Sequence, residues 1–317
     1  MQAIPKVNAI LLAGGKRASV PVRSDNKAFL VLKGLPLFIH VLRALKASRL
    51  VDTIVVVGPA ERLGSELEKH DELDRVRIVE ERDNMIENFK VGHVVALGLE
   101  DSVDFRSLKG TEHEDTPTLV VPSDIPLLTP GEVDEFISRS NPYEYDYSIG
   151  ISSERVLSRY YPTGSLPGIR LIYFHVKEDL FRHNNLHLGK PLKFAHLDYI
   201  EKMYEWRYQT RLANILRIVF SMLFGGWRLL KGLRVIVLMQ VSLYYDRHGH
   251  PKLSDRLRSL VGFTRLEEGI GNAIGAQVQI VYTHFGGAAL DADNEKNLAA
   301  IEARYDEWMD YQRSLLF

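Results

Sequence analysis

A single acidic residue, Asp124, follows an apolar run at residues 118–121 and precedes Ile125 and Pro126. The apolar run predicts a buried strand, which places Asp124 just beyond the strand's carboxyl end. In an open α/β sheet, ligands bind beyond the carboxyl ends of the strands. A carboxylate there, with no basic neighbour in sequence, suits a divalent metal ion held against phosphate groups. An ordinary solvated turn is the alternative, because Ser-Asp and proline are common turn residues.

Two glycines near the amino terminus follow another apolar run, at residues 7–12. Gly14 and Gly15 let the backbone turn sharply and approach a ligand closely, so that its N–H groups can face an anion. Nearby positive charge comes from four side chains: Lys16, Arg17, Arg23 and Lys27. The segment matches neither the Walker pattern nor the dinucleotide glycine fingerprint. A plain turn between a strand and a helix is therefore the alternative.

A second group of acids lies near the carboxyl terminus, where Asp291 and Asp293 end an extended segment just before a predicted helix. Because side chains alternate along an extended backbone, both acids point to the same face. One of them could then join Asp124 on a shared cation. Capping of the helix by Asp291, Asp293 or Asn294 is the alternative.

The elements that must position these residues alternate in the first half of the chain, as is typical of a parallel sheet with crossover helices. The predicted strands cover residues 7–12, 53–57, 76–79 and 118–121, and the predicted helices cover 37–48, 60–70, 85–99 and 129–140. Thr129 is the expected N-cap of the last of these helices, with Pro130 at its first position and Glu132 at the capping-box position.

In their order along the chain, these motifs resemble the MobA-like NTP transferases, which are nucleotidyltransferases of the GT-A type. The resemblance covers residues 7–175 and 270–300 and is carried by Leu11-Leu12-Ala13-Gly14-Gly15, Lys27, Asp124-Ile125-Pro126 and the segment from Asp293 to Leu298. The chain departs from the family pattern in two places. Lys16 and Arg17 follow the glycines at once, and no Thr-Pro follows Asp293.

The resemblance implies a three-layer α/β/α, Rossmann-like fold with a mostly parallel sheet, and transfer of a nucleotidyl group from an NTP to a phosphorylated acceptor with release of pyrophosphate. Asp124 and Asp293 would hold Mg²⁺. The resemblance assigns the remaining residues to two groups: Lys27, Arg17 and Lys16 would neutralise phosphate charge in catalysis, and Leu12, Ala13, Gly14, Gly15, Arg23 and Asn88 would bind the nucleotide. The acceptor would be a sugar, polyol or lipid-headgroup phosphate.

Residues 179–262 break the alternation and predict a helical insertion within one nucleotidyltransferase-like domain spanning 1–317. Basic and apolar residues are interleaved there. Four roles remain open for this insertion: a lid over the acceptor, a homodimer surface, a peripheral membrane contact through 205–235, or simple packing.

Composition narrows the remaining function classes. The chain has 317 residues, 45% hydrophobic and 26% charged, which is ordinary for a globular protein. A net charge of −1 gives no general reason to expect nucleic-acid binding. The absence of cysteine excludes disulfides and thiolate metal sites and fits a cytoplasmic protein. Two other functions stay open: a nucleotide-binding or scaffold protein with a degenerate site, and a GT-A glycosyltransferase.

Overall fold

The computed structural model describes residues 6–15, 26–197, 237–238, 241–242, 244–246 and 248–315. The described strands are β1 (Val7–Leu12), β2 (Val31–Leu32), β3 (Leu35–Pro36), β4 (Val51–Gly58), β5 (Val76–Glu80), β6 (Thr118–Pro122), β7 (Tyr147–Ser153), β8 (Phe174–His175), β9 (Leu180–Gly189) and β10 (Val278–Tyr282). The described helices are α1 (Leu37–Ala47), α2 (Ala60–Lys69), α3 (Met85–Ala96), α4 (Pro130–Arg139), α5 (Glu154–Leu157), α6 (Pro251–Arg258), α7 (Phe263–Ile274) and α8 (Glu295–Ser314).

One mixed sheet of eight strands forms the centre of the described residues, in the order β10-β7-β9-β6-β1-β4-β5, with β8 paired to β9. Strand β9 runs antiparallel to its neighbours β6, β7 and β8, while the other pairs are parallel. The short β2–β3 hairpin stands apart from this sheet. The prediction of a mostly parallel sheet is confirmed.

Helices cover both faces of the sheet because its buried strands are apolar on both sides. In β1, Ala9 and Leu11 pack with residues of α1, α2 and α4, whereas Ile10 packs against α3. On the far side of β9, Ile149 and Ile151 of β7 pack in clusters that include residues of α7. The result is the predicted three-layer α/β/α arrangement, with the carboxyl ends of β1, β4 and β6 side by side.

The helical interpretation of 179–262 is wrong for residues 180–189, which form β9 between β6 and β7. Two features hide this strand in the sequence. Its centre is polar, from Arg182 to Asn185, and Asn185 has φ of 62°, beside an irregularity in the pairing with β7. The prediction is right for α6, and residues 198–236 lie outside the described residues. The extent of the domain and of the insertion stays a prediction.

Among the described residues, no helix is both long enough and apolar enough to cross a membrane. The predicted membrane contact at 205–235 lies in the part of the chain that the structure does not describe.

Candidate active site

The side chain of Lys27 lies between two of the predicted acids. Its Nζ atom is 2.8 Å from Asp293 Oδ1 and 3.7 Å from Asp124 Oδ2. Asp124 follows β6 and is 21% exposed, while Asp293 precedes α8 and is 52% exposed. The fold thus gathers three residues that are separated by up to 266 positions onto one charged contact at the carboxyl edge of the sheet.

Burial and neighbouring charge shape the ionisation of this cluster. Burial raises the pKa of Asp124, the charge of Asp293 adds to that effect, and Lys27 opposes it. Burial alone would lower the pKa of Lys27, but the hydrogen bond to Asp293 and the surrounding carboxylates raise it above the usual value. Lys27 therefore stays protonated and positively charged at neutral pH.

A third acid, Asp291, pairs with an arginine on β9. Arg182 Nη2 lies 3.3 and 3.4 Å from the two carboxylate oxygens of Asp291, and Arg182 Nε is buried with no hydrogen-bond partner among the described residues. Burial raises the pKa of Asp291, and the charge of Asp293 raises it further. Sequence reasoning missed Arg182 because β9 was assigned to a helical insertion.

The N-cap of α8 is a residue other than these two acids. Asn294, not Asp291 or Asp293, is the N-cap of α8 and accepts a hydrogen bond from Asn297 N. The Ala292 N–H donates to the carbonyl of Asp124 at 2.8 Å, which ties the late acidic segment to the end of β6. Asp293 therefore faces Lys27 because its neighbour performs the capping.

Gly14 lies close to two side chains, so that any other residue there would force a neighbour to move. A Cβ atom there would sit 2.5 Å from Glu81 Oε2 and 3.0 Å from Asn88 Nδ2. Asn88 is buried on α3 and accepts a 2.5 Å hydrogen bond from Arg82 N, while Asn84 is the N-cap of that helix. The structure thus places Asn88 beside the glycine loop, with Glu81 as a neighbour that the sequence reasoning did not select.

The glycine loop already holds an anionic oxygen. The Gly15 N–H donates to Glu81 Oε2 at 3.0 Å, which shows that this backbone group is aimed at an acceptor. Neighbouring backbone groups belong to the sheet edge, since Ala13 N bonds to Val57 O and Leu12 O accepts from Ser123 N. Asn26 Nδ2 donates to Ala13 O, which sets Lys27 next to the loop. Glu81 follows β5, so its position at a strand end was the signal available in the sequence.

Three of the predicted phosphate-binding residues, Lys16, Arg17 and Arg23, lie outside the described residues. Within the described part of the chain, no three His, Asp or Glu side chains are grouped as a metal site. The two acids predicted as ligands meet instead at the ammonium of Lys27.

Sequence comparison decides the family. The model of the MobA-like NTP transferase domain matches residues 9–223, well over half of the chain. The chain belongs to the MobA-like NTP transferase family. It is therefore a nucleotidyltransferase, as the motifs predicted. No curated protein matches the chain.

A solved structure shares the fold. A hypothetical transferase from Thermus thermophilus has a TM-score of 0.59 and 20% identity, covering 92% of this chain and 99% of the other. The 4-diphosphocytidyl-2C-methyl-D-erythritol synthase of Anaerococcus prevotii has a TM-score of 0.48 and 10% identity, covering 96% of each chain. A CMP:2-keto-3-deoxy-manno-octonic acid synthetase complexed with CTP gives 0.46 and 10%, covering 96% and 99%.

Proposed function

We propose that this nucleotidyltransferase moves the NMP group of an NTP onto a phosphorylated small-molecule acceptor, with a divalent cation held by Asp124 and Asp293. The observation that carries the proposal is the contact of one Lys27 ammonium with both carboxylates, beside the glycine loop. Asp124 and Asp293 would hold the cation, because both carboxylates already face one positive charge.

The donor set fits Mg²⁺. Carboxylate oxygens are its preferred protein ligands, and the ion is usually bound through one or two carboxylates with water and substrate phosphates completing the shell. Two acids at one point therefore suffice. A bound Mg²⁺ would neutralise charge on the reacting phosphates and orient them.

The glycine loop would receive the triphosphate. The Gly15 N–H already bonds to a carboxylate oxygen, and phosphate oxygens are acceptors of the same kind. Gly14 allows the close approach, because a side chain there would collide with Glu81 and Asn88. Lys27 would turn from its acids toward the phosphates once the nucleotide is present, since its charge persists at neutral pH. Lys16, Arg17 and Arg23 stay predicted partners of the phosphates.

The reaction needs position and charge more than a proton acceptor. An anionic oxygen of the acceptor phosphate attacks the α-phosphorus, and the bond from that phosphorus to the oxygen bridging to the β-phosphate breaks. The electron pair leaves with pyrophosphate, so no proton has to be removed from the nucleophile. Alignment and electrostatic stabilisation supply the rate.

Arg182 supports a phosphorylated acceptor. Its hydrogen bonds to Asp291 are long, at 3.3 and 3.4 Å, and a guanidinium binds phosphate in a bidentate manner. An acceptor phosphate at Arg182 would approach the Asp124 and Asp293 pair from the β9 side. The kind of molecule that carries the phosphate would then be chosen by the surfaces around β7 to β9.

The test is a transfer assay with ATP, CTP, GTP, UTP and dTTP labelled in the α-phosphate, each with Mg²⁺. Acceptors are mixtures of sugar phosphates, polyol phosphates and phosphorylated headgroup precursors, each matched by its dephosphorylated form. The expected result is label transfer with one equivalent of pyrophosphate, only to a phosphorylated acceptor and only with one nucleotide. Transfer to a dephosphorylated acceptor, or no transfer to any phosphate, would contradict the proposal.

A further inference from the structure

The most completely buried acid near the site is Glu132, on the first turn of α4. It is 0% exposed, and burial raises the pKa of its carboxyl to about 7. The sequence places it at the capping-box position of a helix whose N-cap is Thr129. Its side chain instead leaves the helix and forms contacts with the loop that follows β10.

All three donors to the Glu132 carboxyl come from that loop. Oε1 accepts hydrogen bonds from Thr283 Oγ1 at 3.0 Å and from Gly286 N at 3.2 Å, and Oε2 accepts one from Ala288 N at 2.9 Å. Two of these donors are backbone N–H groups, so the carboxyl fixes the path of the chain and not only its side chains. Gly286 has φ of 86°, which any other residue would adopt at a cost.

The loop held in this way leads directly to the acids of the site. Ala288, Leu290 and Ala292 are all fully buried, and the last of Glu132's donors lies three residues before Asp291. Other contacts hold the same stretch, including Asn185 Nδ2 to Ala288 O at 3.0 Å. The anchored residue Ala288 therefore lies directly before Asp291 and Asp293 in a buried stretch.

Glu132 also shares a chain segment with Asp124. Residues 124–132 run from the end of β6 into α4, with Ile125, Leu127 and Leu128 buried. The segment contacts the late acidic stretch twice, through Asp124 O to Ala292 N and through Glu132 to the 283–288 loop. One buried segment therefore carries Asp124 and is hydrogen-bonded to the segment that carries Asp291 and Asp293.

We propose that Glu132 is a positioning residue, whose carboxyl sets the location of Asp291 and Asp293 relative to Asp124 and Lys27. The inference rests on the proposed function, in which these acids hold the metal and face the acceptor. Glu132 itself contacts no part of the acidic cluster in the hydrogen bonds of the described residues.

A matched control stands one turn away on the same helix. Glu135 is also buried, at 1%, and also accepts from the loop, with Oε2 taking a 2.8 Å hydrogen bond from His284 N and Oε1 a 2.5 Å contact from the His284 ring. His284 lies seven residues before Asp291, at the start of the loop. A substitution of Glu135 therefore removes contacts to the start of the loop but leaves the hydrogen bonds to Gly286 and Ala288 in place.

The experiment compares wild type, Glu132→Gln, Thr283→Val and Glu135→Gln. The amide oxygen of glutamine can replace one carboxyl oxygen as an acceptor. The amide NH₂ group would replace the other oxygen and would face a backbone N–H donor. Binding of Mn²⁺ alone is measured from the electron paramagnetic resonance signal of the free ion, and backbone hydrogen exchange is followed over residues 288–293. The transfer assay supplies kcat and KM, and thermal unfolding reports whether each variant is folded.

Glu132→Gln is expected to weaken Mn²⁺ binding by about 10- to 100-fold, as loss of outer-shell support of metal ligands does, and to lower kcat with little change in the KM for the nucleotide. Hydrogen exchange over 288–293 should rise. Thr283→Val should have the same effects to a smaller extent. Glu135→Gln should leave Mn²⁺ binding within about threefold of wild type even if its thermal stability falls equally.

Equal weakening of Mn²⁺ binding in Glu132→Gln and Glu135→Gln, or wild-type binding in Glu132→Gln, would overturn the positioning role. If the wild type itself binds no Mn²⁺, the proposed metal site fails, and hydrogen exchange then decides the positioning role alone. Unchanged protection of residues 288–293 in folded Glu132→Gln or Thr283→Val would overturn it in that case. If neither variant folds, Glu132 is a general stability residue and the positioning role is wrong.

Discussion

Acidic side chains connect the segments 124–132 and 283–293 at two places, which we call the open and the closed cluster. The two clusters differ in their exposure to solvent and in the charge of their partners. At the open cluster, Asp124 and Asp293 are 21% and 52% exposed and face the cation Lys27. At the closed cluster, Glu132 is fully buried and its three hydrogen-bond donors are neutral. The carboxylates of the first can exchange partners with a ligand, whereas the carboxyl of the second already accepts hydrogen bonds from the Thr283 hydroxyl and from two backbone N–H groups.

This difference separates two tasks that one residue type can perform. A carboxylate that faces a cation and is accessible to solvent is suited to binding. A carboxyl satisfied by fixed N–H groups is suited to holding a loop, and it is costly to disturb. Substitutions at the open cluster should therefore affect mainly activity, and substitutions at the closed cluster mainly stability.

The largest expected effect is on activity, at the open cluster. Asp124→Ala should lower kcat/KM by about 1,000-fold, or about 4 kcal/mol, because a ligand of the proposed metal is lost. The melting temperature should stay the same or rise, since burial raises the pKa of Asp124 and its charged form is disfavoured. Steady-state kinetics and calorimetry provide both values. Full turnover by Asp124→Ala would break the comparison.

The next effect is on stability, at the closed cluster. Glu132→Ala leaves one hydroxyl and two backbone N–H groups buried without their acceptor, which should cost about 3 kcal/mol in the free energy of unfolding. Asp293→Ala is the control and should cost less than about 1 kcal/mol, because the Asp293 side chain is half exposed. Urea denaturation of both variants measures the difference. Equal costs would mean that the two clusters do not divide the tasks as described.

At the closed cluster, the contribution of Glu132 to stability should fall as pH rises. Burial raises the pKa of Glu132 to about 7 in the folded protein, above its usual value in the unfolded chain. The folded state then holds more protons, so this group's contribution to stability is lost as pH rises from about 4.5 to about 7, by at most about 1.4 kcal/mol per pH unit.

Glu132→Gln cannot titrate and supplies the reference. The unfolding free energy of wild type minus that of Glu132→Gln should fall between pH 5 and pH 7, as measured by urea denaturation at each pH. A difference that stays constant over this range would show that the hydrogen bonds keep Glu132 ionised throughout.

The smallest effect concerns the glycine loop beside the open cluster. Gly14→Ala would place a Cβ atom 2.5 Å from Glu81 Oε2, so Glu81 must move and nucleotide affinity should fall by about tenfold. Gly64→Ala, inside α2, is the control, because among the described residues its Cβ would contact only Ile78, at 3.8 Å. It should leave affinity unchanged and add up to about 1 kcal/mol of stability. Titration calorimetry with the nucleotide selected by the transfer assay measures both, and equal affinities would remove the steric role of the loop.

The parallel part of the fold was predictable because each strand is a short apolar run ending at a turn signal. The strand ends at Gly14, Gly58 and Asp124 follow from that pattern, and so does their common edge. Strand β9 was not predictable in the same way. Its polar centre and the left-handed Asn185 remove the alternation that marks a strand.

The residues of the site also fall into a predictable group and an unpredictable one. Lys27, Asp124 and Asp293 carried recognisable spacing in the sequence, and the structure brings them together. Glu81 carries only the weak signal of its place at a strand end, and Arg182 and Glu132 carry no local signal of the contacts they make. The partners of all three are at least 66 positions away and meet them only in the folded sheet. Glu132 even occupies the position of a capping-box residue, so the local pattern predicted a different partner from the one it contacts.

The most direct test of the central claim is nucleotide binding with and without a divalent metal ion. Thermal unfolding is followed for wild type and Asp124→Ala with ATP, CTP, GTP, UTP and dTTP, each in Mg²⁺ and in EDTA. The account predicts that one nucleotide raises the melting temperature of the wild type in Mg²⁺, and that both EDTA and Asp124→Ala abolish the rise. A rise that is equal in EDTA, or one that survives in Asp124→Ala, would contradict the assignment of Asp124 to the metal and nucleotide site.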